Sequence, residues 1–554
     1  METTNDLISG RSKLLEQAVP GLGVVIACAL GFLVYLIWFG NGVPSLIDPI
    51  PFVFNTVQYI LDNERFMVRA KKVLKYNRLA KFNLFTRSVF LIRGQQNVQK
   101  IFTSSHKLST EKLFTTIFFP ALYRMPQEDA QRFAEDNSGR SRVPVPGLEH
   151  LPSEERLWYG YERLFTEFLG RQGNHLRSIA IYFCKCYTRR VRENYAMNEW
   201  TTISITNFCR RLVTESYTEA LFGPSVFELN PKLIDAFWDL DSQIFPLALG
   251  IPKWLYPRPH RKQEYFFSMI GKWIDDGWAK FDWNSPAADA DWEPRFGARI
   301  NREVLLWIKE RGLSNQFSTG SLAMFVFGLN SNSIPTTMWV ILEIVKDPGL
   351  LQLVREEVAT TYVTDPETKS RTIDVDKLVK LPLLQSIFTE VLRLHMNFNL
   401  LRHVNEPVTM DGCKMNKGDL VSAPMVLAHY NEADWSRASH PASEFWAERH
   451  VKYTEEKHED GNVTVKREFA LAGRPSSYFP FGGGHHICPG RYIAKQQILA
   501  ATALFVTSFE VESTWWTRLD GSPSDRPAQG DKYYSGTGGM PPDRDLKIRC
   551  KRIR

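Results

Sequence analysis

The sequence predicts one large, mainly α domain with minor β sheets, preceded by an N-terminal transmembrane helix. Three observations carry that expectation. Residues 18–39, AVPGLGVVIACALGFLVYLIWF, contain no charge. Long apolar or amphipathic runs at 321–347 and 377–396 have helical length, while extended pieces such as RSVFLIRG (87–94) and GDLVSAPM (418–425) are short. Finally, no internal repeat and no flexible linker interrupts the chain between residues 70 and 550.

The N-terminal run comes first. Twenty-two helical residues at about 1.5 Å each cover roughly 33 Å, enough for a hydrocarbon core of about 30 Å. Tyr35 and Trp38 stand near its end, where amphipathic rings favour the interface. A cleaved signal peptide is the competing reading, but the run is long for one and GNGVPSLIDPIP has no small-x-small cleavage site. Few basic residues precede the span, whereas Arg65, Arg69, Lys71, Lys72, Lys75 and Arg78 follow it. Residues 1–17 are therefore expected in the lumen, 18–39 in the bilayer, 40–60 as a proline-stiffened connector and 61–554 as a cytosolic domain. On that side the sequon Asn462-Val463-Thr464 carries no sugar.

Polar stretches at 125–155, 453–468 and 517–538 predict surface loops. Residues 239–266, DLDSQIFPLALGIPKWLYPRPHRKQEYF, join two helices through an apolar Trp- and Pro-bearing segment. It reads either as a membrane-dipping access lid or as an ordinary buried connection. A net charge of +7 on 554 residues is too diffuse for nucleic-acid binding. Seven cysteines, odd in number and without zinc spacing, suit a reducing compartment.

One cysteine stands apart. FPFGGGHHICPG (479–490) crowds glycines, aromatic residues and Cys488 together just before the helical run RYIAKQQILAATALFVTSF. Gly482, Gly483 and Gly484 let the backbone approach a flat object closely. A cysteine at a helix start meets free N–H groups and the macrodipole, an environment that favours a thiolate and suits an axial haem ligand. Upstream, Glu390 and Arg393 share a helix face three residues apart, and FWAERH (445–450) supplies Arg449.

In this order and spacing, the residues resemble those of membrane-bound cytochromes P450. The family's haem loop, Phe-x-x-Gly-x-basic-x-Cys-x-Gly, is matched by Phe481, Gly484, His486, Cys488 and Gly490. Its Glu-x-x-Arg helix with a downstream Arg is matched by Glu390, Arg393 and Arg449, which the resemblance makes structural. The likeness extends from the anchor to the C-terminal GGMPPDRDLKIRCKRI. It implies haem b ligated by Cys488, with Gly482 in the loop and with Arg402 and His486 as partners of the haem propionates. Histidine replaces the commoner arginine at 486, so its charge depends on the propionate holding the proton. The Trp-x-x-x-Arg of an earlier helix is not apparent, leaving Arg171, His175 or Arg177 for that role.

The oxygen-side helix departs from the common Gly-x-acid-Thr run. FGLNSNSIPTTMW puts Ser331 in the acidic position and Asn332 in the threonine position, with Pro335 expected to bend the helix. This pattern resembles the branch containing sterol 7α- and 12α-hydroxylases and prostacyclin synthase. Ser331 and Asn332 are the candidate catalytic residues. Asn332 cannot supply a proton as a carboxylic acid does, but a water held by the two can relay one. The resemblance implies a monooxygenase acting on a hydrophobic sterol-, terpenoid- or lipid-like small molecule. It would use O2 and NADPH through NADPH–cytochrome P450 reductase at the endoplasmic reticulum membrane. Arg491 and Lys495, just past the ligand, read either as a docking face for an acidic reductase or as solvated helix charges. The alternatives are a haem-thiolate isomerase or dehydratase needing no reductase, and a non-enzymatic membrane haem protein.

Overall fold

The computed structural model describes residues 43–171, 174–364, 371–457, 463–473 and 475–554. Residues 1–17, the anchor expected over 18–39, the first residues of the connector and Asn462 lie outside these. Among the described residues no helix is long and apolar enough to cross a membrane.

Helices dominate. Those that position the site are α1 (Gln127–Glu135), α2 (Leu157–Phe168), α3 (His175–Asn194), α4 (Leu233–Asp241), α5 (Pro257–Lys280), α6 (Asn315–Asn330), α7 (Ser333–Val345), α8 (Pro382–His395) and α9 (Arg491–Ser508). Every residue of α7 is buried, and α7 and α3 both pack on α9. This makes the core, whose aliphatic and aromatic side chains come from nearly every long helix. Ser314 accepts a hydrogen bond from the Phe317 N–H and so caps α6. Pro382 opens α8, where a missing N–H costs nothing, and the Glu357 carboxylate accepts from the next two amides, Leu383 and Leu384, at 2.9 Å each. The expected helix over 377–396 is therefore shortened at its N-terminus, because the residue before a proline is driven to extended geometry.

The main sheet contains β1 (Leu79–Leu84), β2 (Arg87–Ile92), β3 (Leu108–Ser109), β5 (Met396–Val404), β6 (Leu420–Pro424) and β8 (Thr537–Gly539). A second sheet joins β4 (Trp200–Ser204), β7 (Phe509–Thr517) and β9 (Asp545–Arg552). The β1–β2 hairpin pairs Leu79 with Ile92, and β6 runs parallel to β2 and antiparallel to β5, with Ala423 opposite Leu400. β8 covers the other end of β5, setting Thr537 opposite Phe398 and Gly539 opposite Met396. β5 follows α8 without a turn, so one continuous stretch links the Glu390 helix to the sheet beneath the site.

Three expectations need correction. The 453–468 stretch is largely an exposed hairpin, with Val451 opposite Phe469, rather than a loop. The 125–155 stretch is not merely surface: α1 buries Ala130 and Phe133, and the loop after it enters the site. Of the two readings of 239–266, the ordinary buried connection fails at its centre, where Trp254 is 83% exposed and Leu255 63%, although Asp241 and Leu247 are buried.

Candidate active site

Local geometry first sets the cysteine loop. Gly482 and Gly484 adopt φ of 73° and 66°, a region costly for residues with a Cβ. A Cβ on Gly484 would also lie 2.5 Å from the Phe102 carbonyl oxygen, and one on Gly483 would strike the Phe102 ring. The turn is closed by the Gly482 N–H donating to the Phe479 carbonyl and the Cys488 N–H donating to that of Phe481, both at 2.9 Å. Phe481 thus fixes the cysteine through its backbone. Gly490 is the N-cap of α9, and the Arg491 guanidinium donates to the Cys488 carbonyl at 2.8 Å.

Cys488 keeps an accessible side chain even though protein surrounds it, so its thiol opens on an internal space. That burial pushes its pKa up, while the N–H groups of Gly490 and Arg491 pull it down. The expected thiolate-favouring donors are present, but burial outweighs them for the bare thiol. A bound cation reverses that balance, because a coordinating thiol is deprotonated.

Beside the loop lies a basic cluster. Arg402 is buried on β5 and donates only to the Leu401 carbonyl among the described residues. His486 hydrogen-bonds Thr110 through Nδ1 at 3.3 Å, and its buried Nε2 has no partner among the described residues. Burial, with Arg402, Arg140 and His485 around it, drives His486 down to about 3 despite the opposing Glu111. His486 is therefore neutral, and the guanidinium groups carry the charge. Arg140 was not foreseen. It pairs with Glu111 and Glu162 at 3.2 Å each, stacks over the Trp158 ring at 4.4 Å, and leaves a buried Nη2 unpartnered. The aromatic–guanidinium pair sought on one helix is instead split between α2 and the loop before it.

The three residues named for that role lie elsewhere. His175 pairs with Asp291 at 2.7 Å, and Arg171 covers the Tyr492 ring at 4.6 Å; among the described residues Arg177 makes no hydrogen bond or ion pair with the cluster. Of the two docking-face residues, Lys495 is half-buried and donates to Gln385 at 2.5 Å, and burial lowers its pKa to about 8.

These residues fit a haem. An accessible, enclosed thiol stands beside Arg402 and the buried nitrogens of Arg140 and His486 that have no partner among the described residues, a set that matches the carboxylates at a porphyrin edge.

Glu390, Arg393 and Arg449 come together in one buried cluster. Arg393 donates to both Glu390 oxygens at 2.8 and 2.7 Å, and Arg449 donates to Oε1 at 2.7 Å; all three side chains are fully buried. Arg393 also bonds the His429 and Ala442 carbonyls, and Arg449 those of Trp435, Pro441 and Glu444. Against the upward push of burial, Arg393, His450 and Arg449 hold Glu390 at about 2.

The distal side differs from expectation. The helix breaks at Ser331–Asn332, not at Pro335, because proline cannot donate to the residue-331 carbonyl four positions back and its ring crowds that turn. Pro335 then sits in the first turn of α7. Ser331 Oγ donates to Asp241 Oδ1 at 2.6 Å. The Asn332 side-chain oxygen accepts from the Gly539 N–H of β8 at 2.8 Å, while its NH2 has no partner among the described residues. A Cβ on Gly538 would approach that oxygen to 2.6 Å, so the glycine permits the contact. Asp241, distant in sequence, gave no motif by which to be found.

Comparison with known proteins agrees with this geometry. The family model described as cytochrome P450 matches residues 127–518. Cytochrome P450 monooxygenase calL of Penicillium decumbens is 38% identical over 97% of this chain and 98% of its own length. Cytochrome P450 monooxygenase fsoE of Humicola fuscoatra is 25% identical over 92% and 87%. Cholesterol 7-alpha-monooxygenase of Cricetulus griseus is 24% identical over 64% and 66%. A thiol-bearing loop, the fully buried Glu390 cluster and a full-length monooxygenase relative lead to one conclusion: the chain belongs to the cytochrome P450 family.

Proposed function

We propose that the protein oxidises a hydrophobic, sterol- or terpenoid-like substrate in a biosynthetic pathway, using O2 and electrons from NADPH–cytochrome P450 reductase. The observation that carries this reading is the accessible Cys488 thiol enclosed beside Arg402, Arg140 and His486. The sterol enzyme among the relatives supports the substrate class. Bound haem supplies oxygen activation, favoured by electron donation from a thiolate.

The chain's own residues do the rest. The Phe481 carbonyl and the Gly490 and Arg491 N–H groups orient Cys488 and its sulfur. Arg402, Arg140 and His486 bind the propionates. With its oxygen fixed on Gly539, Asn332 presents its NH2 as a donor to a water or substrate oxygen. Ser331 supplies a hydroxyl beside it.

Support for a membrane setting comes from the charge-free 18–39 run and from apolar side chains exposed at two places, Ile47 (73%) and Leu61 (75%) after that run and Trp254 before α5. We assign the protein to the endoplasmic reticulum membrane with its catalytic domain cytosolic, and the basic face with Arg171, Arg491 and Lys495 to the reductase.

The test is reconstitution with reductase and candidate lipids, following product and NADPH together. NADPH-dependent product is expected, and Cys488→Ala should lose both product and the thiolate signature of the reduced, carbon-monoxide-bound spectrum. Product formed without NADPH would favour an isomerase.

A further inference from the structure

We propose that Asp241 supplies protons to the oxygen side of the site through the Ser331 hydroxyl, replacing the acid that the distal helix lacks. This deepens the monooxygenase reading and rests on it. The juxtaposition is direct: Asp241 Oδ1 lies 2.6 Å from Ser331 Oγ, and Ser331 stands in the helix break next to the accessible Asn332.

The position of Asp241 favours its acid form. It is the last residue of α4, where the helix dipole opposes negative charge, and only 5% of its surface is exposed. The groups around it are Ser331, the Arg210 guanidinium and the phenols of Tyr533 and Tyr534. Arg210 is the one cation in this set, and its buried Nε has no partner among the described residues. Burial raises the Asp241 carboxyl to about 6, against the pull of the Ser331 hydrogen bond and Arg210, so the group exchanges its proton near neutrality.

The transfer balances simply. Protonated Asp241 donates to Ser331 Oγ while the serine O–H proton passes to a water on the open side of the break. The carboxylate left behind is reprotonated from solvent. A hydroxyl serves because it donates and accepts at once. Asn332, with its oxygen committed to Gly539, cannot substitute for this step but can hold the water that receives the proton. A purely structural role, tying α4 to the break, needs only an acceptor at 241, and asparagine provides one.

That difference is the test. In resting holoenzyme labelled with 13C-aspartate, infrared titration should show a protonated carboxyl band lost as pH rises through about 6. The band should be absent in Asp241→Asn and shifted in Ser331→Ala. With reductase and substrate, Asp241→Asn should keep its haem and its thermal midpoint, yet lower the ratio of product to NADPH by about 100-fold as electrons go to hydrogen peroxide. In wild type this ratio should fall as pH rises through the same range, and in Asp241→Asn it should be flat. If Asp241→Asn fails to fold, Ser331→Ala must show the same uncoupling with the acid still present. A carboxyl band untouched by either substitution, or a variant that couples like wild type, overturns the proposal. Wild-type turnover without NADPH would sink the monooxygenase reading before any variant was made, and the delivery role with it.

Discussion

The Glu390 cluster and the Ser331–Asn332 break are both polar arrangements inside an apolar core, and they are built on opposite plans. Around Glu390, two arginines and five backbone carbonyls bond one another, and every polar side-chain atom of Glu390, Arg393 and Arg449 has a partner. Beside them His450 Nε2, 3.5 Å from Glu390 Oε2, lacks a hydrogen bond among the described residues. At the break, each side chain makes a single bond outward, Ser331 to Asp241 and Asn332 to Gly539, and Asn332 keeps free donors. Saturation fixes a fold, because a buried charge without its partner is costly. Incomplete satisfaction leaves hydrogen-bonding capacity for a ligand or a water. One region holds the framework still, and the other is where chemistry can enter.

The largest effect should come from breaking the saturated region. Glu390→Gln leaves Arg393 and Arg449 buried without a counter-charge and should destabilise the domain by about 3–5 kcal/mol, read from denaturant unfolding and haem retention. The same pair predicts an acid response. Glu390 titrates lower in the folded state, near 2, than its ordinary 4.5, so its contribution is complete above about 4.5 and is lost as pH falls towards 2. Wild type should lose stability across that window, and Glu390→Gln should show a shallower slope there. An unchanged slope would mean that the cluster is not the acid-sensitive element.

At the open region the expectation reverses, with little change in stability and a large change in rate. Asn332→Ala removes one hydrogen bond to Gly539, worth about 1 kcal/mol of stability. Turnover should nevertheless fall by roughly 10- to 1000-fold, about 1.4–4 kcal/mol of barrier, if its free NH2 orients oxygen or the relay water. Product, NADPH and peroxide measured together decide it; unchanged turnover and coupling would leave Asn332 as a clip for β8 alone.

The smallest effect sharpens the comparison between the two. Arg140 is half saturated: it pairs with two carboxylates, while its Nη2 and the Glu111 Oε2 have no partner among the described residues. Arg140→Gln should cost about 1–3 kcal/mol through unpairing of Glu111 and Glu162. It should also speed haem loss to an apoprotein acceptor, whereas Arg171→Gln, whose guanidinium covers the Tyr492 ring, should not.

The sequence by itself determined the features that depend on short spacing. Gly482, Gly484, Cys488 and Gly490 form one turn, Glu390 and Arg393 one helix face, and Pro335 breaks the helix four residues upstream. Such residues meet through local geometry, and their roles follow from residue type. Pro335 also shows the limit of such a reading: its presence was legible, but the bend falls where the missing hydrogen bond would have been accepted. The tertiary structure alone decided the rest. Arg140 reaches His486 and Trp158 from a stretch that reads as polar surface, and Asp241 meets Ser331 across ninety residues of chain. Neither contact has a spacing to read. A buried polar side chain is selected for a partner that packing delivers from elsewhere, and until the helices are packed its sequence neighbours contain no trace of that partner.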